Sequence, residues 1–394
     1  MGDDSLEKRL KGKVGLITLF SNNYGSILQA YSTKTFVESL GIECDVFQIV
    51  LSQSFLSKIW RKVCLLGKMI AHPSFYKLYS KQKKGWKKDG RNLAPTTERL
   101  MSEFVNRELT PLKVSVNELN DPLWQKQYDY FITGSDQVWN VRLFVNPANF
   151  LSFTSPQKKI AFAVSYGITE IPKYNQRAFC VALNGFNYIS VREETGKKIT
   201  EKYSSAKVCR IGDPTLIFSD KDWRYLTREE DKESFKYILV HFLNKPSTLA
   251  LESIEFLSNK FKLDVLVVGY NYEAFGNIKR AKFIDGDPLK YVSLIDNSEM
   301  ILTDSFHTTL FSINFNKSFF VFQRQYSTLN EGSRIMDLLE RFDLRQRFVV
   351  DINDMQHCVK IAPKDCGAFL SNERVVVRDY LKKSVSGEIP QIFL

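Results

Sequence analysis

Short apolar runs alternate along this chain with longer stretches in which apolar side chains recur at helical spacing. Lys13–Phe20 (KVGLITLF) fits a buried strand and runs into the turn residues Ser21, Asn22, Asn23, Tyr24 and Gly25. Ile27–Leu40 then sets Ile27, Leu28, Tyr31, Phe36, Val37 and Leu40 at helical spacing, with Gly41 as the stop. Cys44–Ile49 reads as a second strand. Strand, loop, helix and strand in this order form a βαβ unit, which implies a parallel sheet. Tyr128–Thr133, Lys159–Ser165 and Tyr188–Arg192 are further strands, with helices over Pro172–Leu183 and Glu193–Tyr203.

A second series begins near Lys236. Its predicted strands are Tyr237–Leu243, Leu263–Gly269, Met300–Thr303 and Phe319–Gln323. Its helices are Ser247–Lys260, Asp287–Asp296, Ser305–Asn314 and Ser333–Phe342. Thr227–Glu233 is charged and apolar-free, as a linker would be. The pattern therefore predicts an α/β protein of two doubly wound, Rossmann-like domains facing across a cleft, residues 1–232 and 233–394, with a C-terminal tail that packs back on the first. Such sheets bind ligands outside the carboxyl ends of their strands, so the chemistry is to be sought in the loops after the strands.

Composition narrows the class. With 394 residues, 44% hydrophobic and 25% charged, the chain is neither disordered nor fibrous, and it is long enough for two cores. Six cysteines without a CxxC pair suggest reduced thiols, the charged N-terminus is no secretory signal, and no apolar run approaches a membrane span. A cytoplasmic protein is expected. Its net charge of +11 is concentrated: Lys58 to Arg91 holds eleven Lys and Arg against Asp89 alone. Phe55, Trp60, Phe75, Tyr76, Tyr79 and Trp86 are interleaved with them. This basic helical insertion, at about 54–91, suits the surface of an anionic membrane, where rings sit among headgroups. It also suits nucleic acid, where bases stack on rings, or simply a solvated helix pair.

Four loops could carry chemistry. In the first, Asn22, Asn23 and Gly25 precede a helix whose N-terminus can face an anion, although the stretch would also serve as an ordinary turn. In the second, Gly134 to Asn140 places Asp136, Gln137, Trp139 and Asn140 where hydroxyls and an apolar sugar face could be held; alternatively Asp136 caps and Trp139 packs. In the third, Arg192 follows a strand and could fork onto a carboxylate or phosphate, or pair locally with Glu193 or Glu194. In the fourth, Asp304 ends a buried strand, Ser305 is an N-cap and His307 falls in the first helical turn. A cation there is unfavourable unless an anion docks beside it. Lys317, Arg324 and Arg334 could complete a cationic enclosure. The four histidines have no metal spacing, and there is neither a P-loop nor a GxSxG elbow.

The blocks NNYGSILQAYS, YDYFITGSDQVWN, ISVREETG, IGDPTLIF and ILTDSFHTTLFSINFNKSFFVF, in this order, resemble the polysaccharide pyruvyl transferase family. The resemblance implies a GT-B-like fold and transfer of a pyruvyl group from phosphoenolpyruvate to a sugar, forming a ketal. It implies phosphoenolpyruvate as substrate, no cofactor and no metal. The implied acceptor is a glycan, galactose being the expected sugar, or a lipid-linked oligosaccharide; the basic insertion points to a precursor met at the inner face of the plasma membrane, and no nucleic acid partner is expected. The family's strand–helix arginine falls on Arg192, its histidine on His307 and its next basic residue on Arg324 or Lys317. Its turn falls on Asn22, Asn23 and Gly25, with Asn22 and Thr308 standing where many members have Gly. His307 is then the candidate for phosphate contact and leaving-group protonation, and Asp136 and Asp304 are candidates for deprotonating or orienting a sugar hydroxyl. The remaining alternatives are a GT-B glycosyltransferase using a nucleotide sugar and a non-catalytic nucleic-acid-binding protein.

Overall fold

The computed structural model describes residues 12–50, 54–88, 93–325 and 333–394. Seven strands form the first sheet: β1 (Lys13–Ile17), β2 (Glu43–Val50), β3 (Leu112–Ser115), β4 (Tyr130–Thr133), β5 (Lys159–Val164), β6 (Tyr188–Val191) and β7 (Lys207–Arg210). Their order is β3-β2-β1-β4-β5-β6-β7. The second sheet holds β8 (Tyr237–His241), β9 (Asp264–Val268), β10 (Ala281–Ile284), β11 (Met300–Thr303), β12 (Ser318–Phe322) and β13 (Phe348–Val349), ordered β10-β9-β8-β11-β12-β13. All pairings are parallel; Leu16 faces Ile132 in one sheet, and Leu302 faces Val240 in the other. Helices cover both faces, so the central strands are apolar throughout rather than alternating.

The pattern of apolar runs recovers every interior strand and misses β3, β7, β10 and β13. These four are the edges of the two sheets. Edge strands are short and carry lysine or lie half-exposed, as LKVS, KVCR and AKFI do, and they lack the continuous apolar run that marks a strand buried on both faces. The final helix, Gly367–Val385, follows the second sheet yet rests on the first. Tyr380 Oη donates to the Ala161 carbonyl at 2.9 Å, and Arg378 donates to the carbonyl of Ile217.

Each sheet reverses its strand order once, between β1 and β4 in the first and between β8 and β11 in the second. Both reversal points open onto the same cleft. Aromatic packing fixes the two halves against each other. Tyr24, at the start of helix Tyr24–Ser39, stacks on Tyr291 at 4.2 Å and donates to the Gly286 carbonyl at 2.9 Å. His241 and Tyr270 pack beside this pair, and the Tyr270 hydroxyl donates to the Asn22 carbonyl. A buried stack of this kind adds about 1 kcal/mol beyond the area it covers.

Candidate active site

The second domain's wall grows from β11. Met300–Thr303 is buried at every position and delivers Asp304 to the cleft floor. Asp304 Oδ1 accepts from the Leu243 N–H at 2.7 Å and Oδ2 from the Asn244 N–H at 3.2 Å, which ties the loop after β8 to the loop after β11. Arg324, just past β12, donates from Nε and Nη2 to the Asp304 carbonyl at 3.2 and 2.8 Å. Asp304 is thus a brace for two loops and an arginine, and not the hydroxyl-activating carboxylate expected from its position. Ser305 caps helix Phe306–Asn314, its Oγ accepting from the Thr308 N–H at 3.4 Å.

His307 lies one residue into that helix, buried, with Gly25 of the first domain against its ring. A Cβ built on Gly25 would stand 2.0 Å from His307 Nδ1. Gly25 is therefore required for the two domains to meet, a role different from the anion cradle anticipated for its loop. Asn23 fills that cradle itself: its Oδ1 accepts from the N–H groups of Gly25 and Ser26 at 3.0 and 3.3 Å. Asn22 turns outward to Glu98, at 2.7 Å, and does not line the cleft.

The first domain's wall is built on Arg192. Its side chain is 1% exposed and is held between two carboxylates, Asp213 Oδ2 at 2.6 Å and Asp136 Oδ1 at 3.1 Å. Its guanidinium also lies over the Phe306 ring, 4.4 Å from the centroid. Nη1 approaches His307 Nε2 at 3.4 Å, and Asp213 Oδ2 stands 3.6 Å from the same nitrogen. Arg192, Asp213 and His307 therefore form one contiguous buried cluster across the domain boundary. Arg192 is paired with carboxylates of its own domain and lines, with Asp213 and Phe306, a small cavity between the two domains. Neither adjacent acid is its principal partner, because Glu193 Oε1 accepts from Ser165 Oγ and the Tyr166 N–H.

Asp213 is the central residue that sequence inspection passes over. The GDP turn after β7 lies within the block IGDPTLIF, but nothing in that edge-strand loop marks its carboxylate as a partner of distant groups. Its Oδ1 caps the turn Pro214–Ile217, accepting from the Thr215 N–H and Oγ1 at 2.9 and 2.8 Å, which leaves Oδ2 for Arg192 and His307. Burial would raise its carboxyl, but His307 and Arg192 outweigh burial and hold it well below the usual range. Asp136 behaves alike. Burial is opposed by Arg192, His307, Arg334 and the Ser26 hydroxyl, which bring its carboxyl down to about 2. A carboxylate so stabilised is a weak base, and this argues against Asp136 as a proton acceptor. Ser26 Oγ donates to its Oδ2 at 2.6 Å.

Between the walls lies a pocket of about 310 Å³ lined by Asn23, Ser26, Asp136, Gln137, Asn140, Ser305, His307, Arg324 and Arg334, among others. This is the low end of the range for small-molecule sites. Arg334 enters on helix Ser333–Arg341, which docks on the first domain through Asp337 Oδ2 and the Glu194 N–H at 2.7 Å. Turned so that its oxygen meets this arginine, the Gln137 amide accepts from Nη2 and Nη1 at 2.5 and 3.0 Å.

Two anticipated residues fall elsewhere. Trp139 is fully buried, packed on Phe150, Tyr166 and Phe186, with its indole N–H donated to the Asn149 carbonyl at 2.8 Å. It is core and offers no face to a sugar. Gly134 directs this turn inward: its φ is +123°, and a Cβ there would strike the Phe162 carbonyl oxygen at 2.0 Å. Lys317 precedes β12 and so lies at the opposite end of that strand from the cleft, with Asp296 and Glu299 as its charged neighbours. Among the described residues no cluster of three or more His, Cys, Asp or Glu is placed to hold a metal ion.

Two doubly wound parallel domains with both reversal points on one cleft define a GT-B-like α/β protein. The UDP-GlcNAc 2-epimerase of Methanocaldococcus jannaschii, solved with UDP-GlcNAc and UDP, superposes with a TM-score of 0.51 at 13% identity, over 93% of this chain and 98% of that one. The S. aureus MnaA–UDP structure gives 0.50 at 13% identity, over 96% and 99%. No curated protein sequence matches significantly. The chain belongs to the polysaccharide pyruvyl transferase family, whose sequence profile matches residues 23–326.

Proposed function

We propose that the protein moves a pyruvyl group from phosphoenolpyruvate to a sugar of a bacterial surface-polysaccharide repeat unit, or its lipid-linked precursor, forming a ketal across two hydroxyls of a galactose. The observation that carries this reading is the cationic side of the pocket. His307, Arg324 and Arg334 line one small cavity in a chain of this family. Phosphoenolpyruvate brings a carboxylate and a phosphate on three carbons. Guanidinium groups pair with both as planar forks.

Four events complete the reaction. One sugar oxygen bonds to the central carbon of the donor, and its hydroxyl proton is balanced by a proton added to the methylene carbon. The bond from that carbon to the phosphate oxygen then breaks. The second hydroxyl closes the ring, and its proton leaves with inorganic phosphate. His307 is assigned to phosphate contact and to protonating the departing phosphate. Asp213 and Arg192 hold its ring from behind, and Asp136, Gln137 and Asn140 present acceptors and donors to the sugar hydroxyls from the first-domain side. The test is incubation of the purified protein with phosphoenolpyruvate and a galactose-containing repeat unit. A pyruvyl ketal seen by mass spectrometry, with equimolar phosphate, is the expected result. Thermal stabilisation by UDP or GDP but not by phosphoenolpyruvate would instead favour a nucleotide-sugar glycosyltransferase.

A further inference from the structure

The inserted segment forms a hairpin of two helices, Phe55–Ala71 and Pro73–Lys88, standing on the first domain. Asp89 and Arg91, together with the side chains of Phe55, Lys84, Trp86, Lys87 and Lys88, lie outside the described residues. The hairpin is anchored at two points. Phe75 is fully buried against Phe144 and Tyr174. Lys68 turns inward and donates to the Leu143 carbonyl at 3.0 Å and to Asn175 Oδ1 at 2.7 Å, with its ammonium over the Phe75, Phe144 and Tyr174 rings. Lys68 is therefore an anchor and does not belong to the exposed basic surface. The anchoring loop is continuous with the pocket rim, since the Arg142 N–H donates to Asn140 Oδ1 at 3.2 Å.

The outward face of the first helix is apolar. Leu56, Ile59, Trp60, Val63, Leu66 and Ile70 recur at helical spacing along one stripe, and Leu56, Trp60 and Ile70 are 77%, 68% and 75% exposed. A contiguous stripe of large side chains in water marks a surface that something covers. Lys58 and Lys62, with Lys77, Lys81 and Lys83 on the second helix, are exposed around it. From Ser54 to Lys88 the chain has ten Lys and Arg and no Asp or Glu.

We infer that this hairpin docks the protein on an anionic lipid bilayer, the apolar stripe lying in the headgroup boundary and the lysines pairing with lipid phosphates, so that the pocket opens beside the membrane surface. Charge decides between occupants. A second copy would set this acid-free basic surface against itself, and like charges across an interface are strongly disfavoured. Nucleic acid would answer the charge but not the stripe, since five of its six side chains are aliphatic and Trp60 alone among them offers bases a ring to stack on. A bilayer answers both. The inference does not depend on pyruvyl transfer, and its test reads no activity.

The full chain is floated with vesicles of phosphatidylcholine alone and of equal parts phosphatidylcholine and phosphatidylglycerol. Binding to the anionic vesicles only, released by high salt, is expected. Lys58→Glu/Lys62→Glu should weaken partitioning about thirtyfold, and Trp60→Glu/Val63→Glu more than about tenfold, with melting temperatures unchanged because these side chains touch solvent. Failure of the wild-type chain to bind anionic vesicles would overturn the proposal, as would undiminished binding by Trp60→Glu/Val63→Glu. So would a dimer by light scattering that Trp60→Glu dissolves, or single-stranded DNA binding that displaces the vesicles.

Discussion

The two lips of the cleft are built alike and charged unlike. Each comes from the reversal point of a doubly wound sheet, and each sends loops from strand ends toward the other. The first-domain lip carries Arg192 against Asp136, Asp213 and Glu193, so this buried arginine is outnumbered by carboxylates of its own domain. The second-domain lip carries His307 and Arg324 against Asp304, and the helix that follows adds Arg334. Duplicated architecture thus separates a side rich in carboxylate oxygens from one richer in basic side chains. Within one lip an arginine and a carboxylate neutralise each other. Across the cleft the unlike lips meet directly, with Arg334 standing 3.9 Å from Asp136.

Substitutions probe the contrast. His307→Ala removes a pocket side chain that meets Arg192 and Asp213 of the opposite lip, and transfer should fall about 10²–10⁴-fold in a protein that still melts cooperatively. Rate measurements at saturating donor, alongside calorimetry, check this. Arg192→Ala should act on folding instead. It strands two buried carboxylates, and chemical denaturation should show about 3–5 kcal/mol lost. If that variant kept wild-type stability, Arg192 would have to belong to the ligand rather than to the wall.

The pH dependence of stability follows from the same carboxylates. Asp136 and Asp213 titrate lower in the folded chain than in the unfolded one, so the stability they confer is complete above about pH 5. It drains away as pH falls through about 4 toward 2, by about 2 kcal/mol for Asp136 alone. Acid titration followed by circular dichroism measures it, and Asp136→Asn should flatten the curve. Arg334→Gln should raise the KM for the donor about tenfold, as loss of one charge-assisted pair implies. Asn22→Ala, whose side chain meets only exposed Glu98, should leave transfer within about twofold of wild type, because surface changes of this kind move energies by at most about 0.5 kcal/mol.

Sequence alone determined the class. Interior strands of a parallel sheet are apolar on both faces, so β1, β4, β8 and β11 announce themselves, and the loops after them follow from the ends of their apolar runs. His307, Arg324 and Asp136 were legible for that reason, since each follows such a strand within a few residues. Which side chains turn inward and which charges meet is settled by the fold in three dimensions. Trp139 and Lys317 sit in motifs as suggestive as those of His307, yet one is core and the other lies at the wrong end of its strand. Asp213 sits after an edge strand with no apolar signal, and its importance arises from Arg192 and His307, which are 21 residues and a domain away. Periodicity reports a residue's own burial, a property of the local chain. The partner of a buried charge is set by loops brought together from distant positions, and no local pattern records it.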